Sequence, residues 1–129
     1  MSDSKVKILK NYFLAYLSPT LWAVVIFFLS AQEVLPSFSV SVYDFIFKKT
    51  AHMFVYAVLY VLLFRAYQKT NGKKITRKSY LVPIVISMLY SATDELHQGT
   101  VPGRHPTLRD MGYDMLGVST VLLYQLKLI

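Results

Sequence analysis

Cysteine is absent from the 129-residue chain. That excludes disulfides, thiolate metal sites and a cysteine nucleophile. Acidic residues are scarce: seven against fourteen lysines and arginines, a formal net charge of +7. Such a balance can signal nucleic acid, but these basic residues do not interleave with a groove-reading element. They fall in short clusters between apolar runs, the pattern expected for anionic headgroups and topology control, and nucleic acid is not an expected partner. Internal repeats and low-complexity tracts are missing. So are an HExxH pair, a serine elbow and a phosphate-binding glycine loop, so no familiar reaction template or cofactor is called for.

Apolar residues are abundant. The chain is 54% hydrophobic and 15% aromatic, with a mean hydropathy of +0.41. These values suit one membrane domain over residues 1–129 better than a soluble domain. Asn11 to Gln32 is a run of 22 residues without a charge. At ~1.5 Å per residue it crosses a hydrocarbon core of ~30 Å. Lys5, Lys7 and Lys10 precede it, as in a signal peptide. The apolar part is longer than a signal core and Leu29-Ser30-Ala31 is a poor cleavage site, so a retained helix is expected.

Thr50–Phe64 and Ser79–Thr93 are each uncharged for 15 residues. At ~1.5 Å per residue they fall short of the core, so polar ends must extend them. The expected helices are about 11–32, 50–68, 79–98 and 107–127. The fold class is an all-α, four-transmembrane-helix bundle. Ten of the fourteen basic residues fall at the two termini and in the second connection. Only Lys48, Lys49, Arg104 and Arg109 lie in the first and third connections, with most of the acids. The positive-inside rule then puts both termini in the cytoplasm and the Asp94–Asp110 region outside. Asn71-Gly72 fits a cytoplasmic turn and Pro102-Gly103 an outer one.

The outer side concentrates polar groups. Lys49, His52 and Tyr56 share a helical face, as do Asp94, His97 and Gln98, with Ser87 and Ser91 below them. Asp110 and Asp114 are four apart, and Gly117 continues their stripe. Gly112 and Gly117 are expected to admit a close neighbouring helix. The turn-rich segment from Gly99 to Pro106 can fold Arg104 back over the helix ends. Glu95 points to another helix or to water. Ser30, Ala31 and Gln32 end the first helix on the same side. Pro83 reads as a first-turn proline.

Each group also has a bland reading. Lys49 can snorkel to the interface. Asp110 suits the positive end of the fourth helix beside an N-cap at Thr107. Tyr56 fits an aromatic belt. Asp94 with Arg104, or Asp114 with Lys49, would serve as structural ion pairs. Independent interfacial charges, however, have no reason to gather on facing sides of three helices.

Lys49-x-x-His52-x-x-x-Tyr56, Asp94-Glu95-x-His97-Gln98, Pro102-Gly103-Arg104 and Asp110-x-x-x-Asp114-x-x-Gly117, in this order, resemble the VanZ-like family. Phe28-Leu29-Ser30-x-Gln32 is similar to the family's pattern too, and the resemblance covers about residues 12–126. Many members have Asn where this chain has Asp114. The resemblance implies a small, multi-pass bacterial membrane protein, in a family named for a factor giving low-level teicoplanin resistance.

The expected ligand-binding set is Lys49, His52, Tyr56, Asp94, Glu95, His97, Gln98, Arg104, Asp110 and Asp114. Its expected partner is a membrane lipid, a lipid-linked cell-wall precursor or a lipoglycopeptide, with Lys49 and Arg104 on the anionic headgroup. The alternative is an enzyme on a lipid-linked substrate, with Asp94 or Glu95 as general base and His52 or His97 as proton shuttle. His52, His97, Asp94 and Asp110 would make a plausible metal set, but Lys49 and Arg104 would repel a cation, so no metal is expected. A third reading makes the polar set a helix clamp.

Overall fold

The computed structural model describes residues 3–32 and 39–129. Four helices account for most of them: α1 (Asp3–Ser30), α2 (Ser41–Thr70), α3 (Arg77–Gln98) and α4 (Leu108–Gln125). Among the described residues there is no strand.

The first two helices are longer than expected. α1 starts at Asp3 rather than near 11, and α2 at Ser41 rather than near 50. Charged residues that read as connections are helical. In α2 the Lys48 ammonium donates to Asp44 Oδ2 at 2.7 Å, an i,i+4 pair that favours the helix it lies on. α3 and α4 match expectation to within about two residues, and α4 begins where Thr107 accepts the Asp110 N–H at 3.1 Å. α3 opens with a Thr76/Ser79 capping box that the sequence reading did not single out. Pro83 lies past the first turn of α3 and is fully buried, which corrects the reading of a first-turn proline.

α1 and α2 are long and apolar enough to cross a membrane, with mean hydropathies of 1.9 and 1.4 over their best windows. α3 shows a different signature. Its buried positions are Ser79, Pro83, Ser87, Ser91, Asp94, Glu95 and Gln98, while Leu81, Val85, Met88 and Leu89 are exposed. α4 likewise buries Asp110, Asp114 and Gly117 and exposes Leu116 and Leu123. Both helices turn a polar stripe inward and an apolar face outward, and an exposed apolar face of this kind marks a membrane or partner contact.

α2 is the centre of the bundle. It touches every other helix, and α4 most extensively. Its core residues Tyr56, Leu59, Tyr60 and Leu63 follow the 3.6-residue period and pack with Ile26 and Val118. Polar links help anchor α1: the Trp22 indole donates to the Val55 carbonyl at 2.8 Å, and the Tyr90 hydroxyl to the Ala23 carbonyl at 2.5 Å. α2 and α4 run parallel in register. Lys49 faces Asp110, His52 faces Asp114, and the Tyr60 hydroxyl donates to Gln125 Oε1 at 2.9 Å.

Gly117 permits that proximity: a Cβ there would lie 2.0 Å from the Met53 carbonyl oxygen. Gly112 plays no such part, since a Cβ would meet nothing within 4 Å, which corrects half of the glycine expectation. The turns fall where expected, with Gly72 at φ +79° and Gly103 at φ +77°, backbone that glycine adopts without strain.

Candidate functional site

The ends of α1 and α3 and the starts of α2 and α4 meet at one end of the bundle, where Gln98 lies 3.5 Å from Ser30 Oγ. On α2, Lys49, His52 and Tyr56 share a face because they are three and four residues apart. Each is met by a carboxylate from a neighbouring helix. The Lys49 ammonium is ion-paired with Asp110 Oδ1. One turn deeper, His52 Nδ1 lies 2.8 Å from Asp114 Oδ1. Deeper again, the Tyr56 hydroxyl donates to Asp94 Oδ2 at 3.3 Å.

The pairing departs from the ion pairs that the bland structural reading offered. Lys49 takes Asp110 rather than Asp114, and no ion pair joins Asp94 to Arg104 among the described residues. Parallel register decides this: Lys49 and Asp110 stand at one level of two helices, His52 and Asp114 at the next. Asp114 is fully buried, and the Ser91 hydroxyl donates to its Oδ2 at 2.6 Å. A carboxylate taken from water needs such donors on both oxygens. Asp94 receives a second donor from Gln98 Nε2 at 3.3 Å, but its Oδ1 has no partner. Glu95 does not face water. It is buried, and its Oε2 accepts the Thr107 N–H at 2.8 Å, tying α3 to the start of α4.

Beside this network lies a cavity of about 570 Å³. Lys49, His52, Tyr56, Asp94, Gln98, Arg104 and Asp110 all line it, so seven of the ten expected residues converge. Glu95 and Asp114 are outside its lining. His97 is brought elsewhere: its ring stacks on Phe27 at 4.2 Å between centroids. The spacing that put His97 on the stripe placed it between Asp94 and Gln98, but α3 turns those two inward and gives His97 to α1. Ser30 lines the cavity; Ala31 and Gln32 do not.

Residues not singled out as ligands complete the wall. Ile26, Leu29, Phe47 and Val55 make it apolar, while Lys48, His105 and Arg109 add polarity. Counting charged groups, Lys48, Lys49, Arg104 and Arg109 face the carboxylates of Asp94 and Asp110. These four cations are the ones that loop counting set apart from the other ten, a signal already present in the sequence. Phe45 holds two of them, with Lys49 Nζ 5.5 Å and the Arg109 guanidinium 5.8 Å from its ring centre.

A family model described as VanZ/LLP1 matches residues 9–127. No curated protein and no solved structure matches the chain.

Proposed function

The chain belongs to the VanZ/LLP1 family, and on that premise we propose that it is a multi-pass protein of the bacterial cell membrane that binds an anionic amphiphile in its cavity. All four helices cross the bilayer in this reading, with both termini in the cytoplasm and the cavity facing outward. The basic residues at the two termini and in the Asn71-Gly72 connection support that direction.

One observation carries the reading: the cavity is lined both by apolar Ile26, Leu29, Phe47 and Val55 and by four cations, one of them (Lys48) paired with Asp44, against the carboxylates of Asp94 and Asp110. An acyl or prenyl chain suits the first part, a phosphate or carboxylate the second. Arg104 suits such an anion best, because it can engage two oxygens at once and its Nε is left without a partner. The partner class is an envelope lipid, a lipid-linked cell-wall precursor or a lipoglycopeptide. The cellular role is a contribution to glycopeptide resistance.

Binding is tested with the purified protein and vesicles containing phosphatidylglycerol, against vesicles of phosphatidylcholine alone. The expected result is preference for the anionic vesicles, lost in Arg104→Ala at unchanged thermal stability. Equal binding to both vesicle types by wild-type protein would overturn the reading. Because the chain lacks cysteine, single Thr100→Cys and Gly72→Cys variants report topology cleanly. An impermeant maleimide added to intact cells should label the first and spare the second.

A further inference from the structure

One part of the network is not explained by the cavity. His52 on α2, Glu95 on α3 and Asp114 on α4 each offer one ligand atom, and these atoms lie within 4.8 Å of one another. Two buried carboxylates so close repel unless one keeps its proton or a positive charge sits between them. Asp114 is compensated by His52 and Ser91. Glu95 is not: it is only 5% exposed, Oε2 is used by the Thr107 N–H, and Oε1 is buried with no partner at all. A buried acceptor oxygen with nothing to accept from, beside an imidazole and a second carboxylate, calls for a partner.

We propose that His52, Glu95 and Asp114 hold a divalent metal ion that ties α2, α3 and α4 together. One imidazole nitrogen and two carboxylate oxygens suit zinc or manganese, and three protein ligands leave a coordination position open. The ligands are already oriented by outer groups: Ser91 holds Asp114, and the Thr107 N–H holds Glu95. The charge objection raised by Lys49 is weakened by its ion pair with Asp110, which cancels that cation locally. Of the three ligands only His52 reaches the cavity lining, so the ion lies behind the cavity wall. The set also differs from the one suggested by helix spacing, which named His97, Asp94 and Asp110 in place of Glu95 and Asp114. This proposal does not rest on the lipid reading.

The test uses full-length protein without a polyhistidine tag, purified in detergent without chelator. Elemental analysis is followed by stripping with a chelator and titration with zinc or manganese chloride, read by calorimetry and thermal unfolding. The expected result is about one ion per chain, retained or taken up, with a raised unfolding temperature. Glu95→Gln should weaken binding at least tenfold, and Ser91→Ala, which removes an outer support, about 10–100-fold. Folded wild-type protein that neither retains nor takes up one equivalent overturns the proposal. Wild-type stoichiometric binding that persists undiminished in a folded Glu95→Gln variant overturns it too, because the ion then sits elsewhere. Should Glu95→Gln fail to fold, the wild-type titration and Ser91→Ala decide the matter.

Discussion

Replacing Gly117 by alanine tests the bundle and the site together. The new Cβ would lie 2.0 Å from the Met53 carbonyl oxygen and 2.7 Å from its carbon. Both struck atoms are backbone, so no rotamer change relieves the clash. Restoring an ordinary contact of 3.4 Å means parting α2 from α4 by about 1.4 Å at that level. Overpacking of this kind costs about 1–3 kcal/mol. Against it stands a helix-propensity gain of about 1 kcal/mol for Gly→Ala. Gly112→Ala is the matched control, on the same helix with nothing within 4 Å of its Cβ. It should be neutral or stabilise by up to about 1 kcal/mol. Thermal unfolding in detergent should therefore separate the two variants by about 1–3 kcal/mol, with Gly117→Ala the weaker. The site should report as well, since Met53 adjoins His52 and Gly117 follows Asp114 by one turn. Parting the helices stretches the 2.8 Å His52–Asp114 contact and the Lys49–Asp110 pair. Indistinguishable unfolding temperatures for the two variants would refute the close parallel packing of α2 on α4.

Lys49→Ala should cost about 3 kcal/mol, because it leaves the largely buried Asp110 uncompensated, whereas Lys48→Ala removes a more exposed i,i+4 pair and should cost about 0.3–0.5 kcal/mol. Chemical denaturation of both in one detergent compares them directly. Thr107→Ala should lose about 1 kcal/mol as the α4 N-cap goes, measured the same way. Tyr60→Phe should lose about 1 kcal/mol with its bond to Gln125, while leaving anionic vesicle binding unchanged.

Much of the site was legible because helical spacing is a local property. Lys49, His52 and Tyr56 face one way on any α-helix, as do Asp110 and Asp114. Loop charge counting singled out the four cations that turn out to line the cavity. Other features depended on helix rotation, which the polar pattern of α3 leaves ambiguous. Asp94, Glu95, His97 and Gln98 span an arc of about 160° with His97 at one edge and Glu95 at the other, so spacing alone admitted His97 to the stripe and left Glu95 between another helix and water. The helix starts were missed for another reason. Lys48-Lys49 and Lys5–Lys10 look like loop to a search for uncharged runs, but backbone hydrogen bonding continues through them.

The sequence by itself determined four apolar segments, an all-helical chain and the end of it that carries the chemistry. Those follow from hydropathy and periodicity, which act within one segment. Only tertiary structure decided which carboxylate meets which base. That choice depends on the register between α2 and α4, set by Gly117 against Met53, which puts Asp110 opposite Lys49 and Asp114 opposite His52. It also decided that Glu95 is buried with one oxygen unanswered, because burial is fixed by three helices at once and is written in none of them.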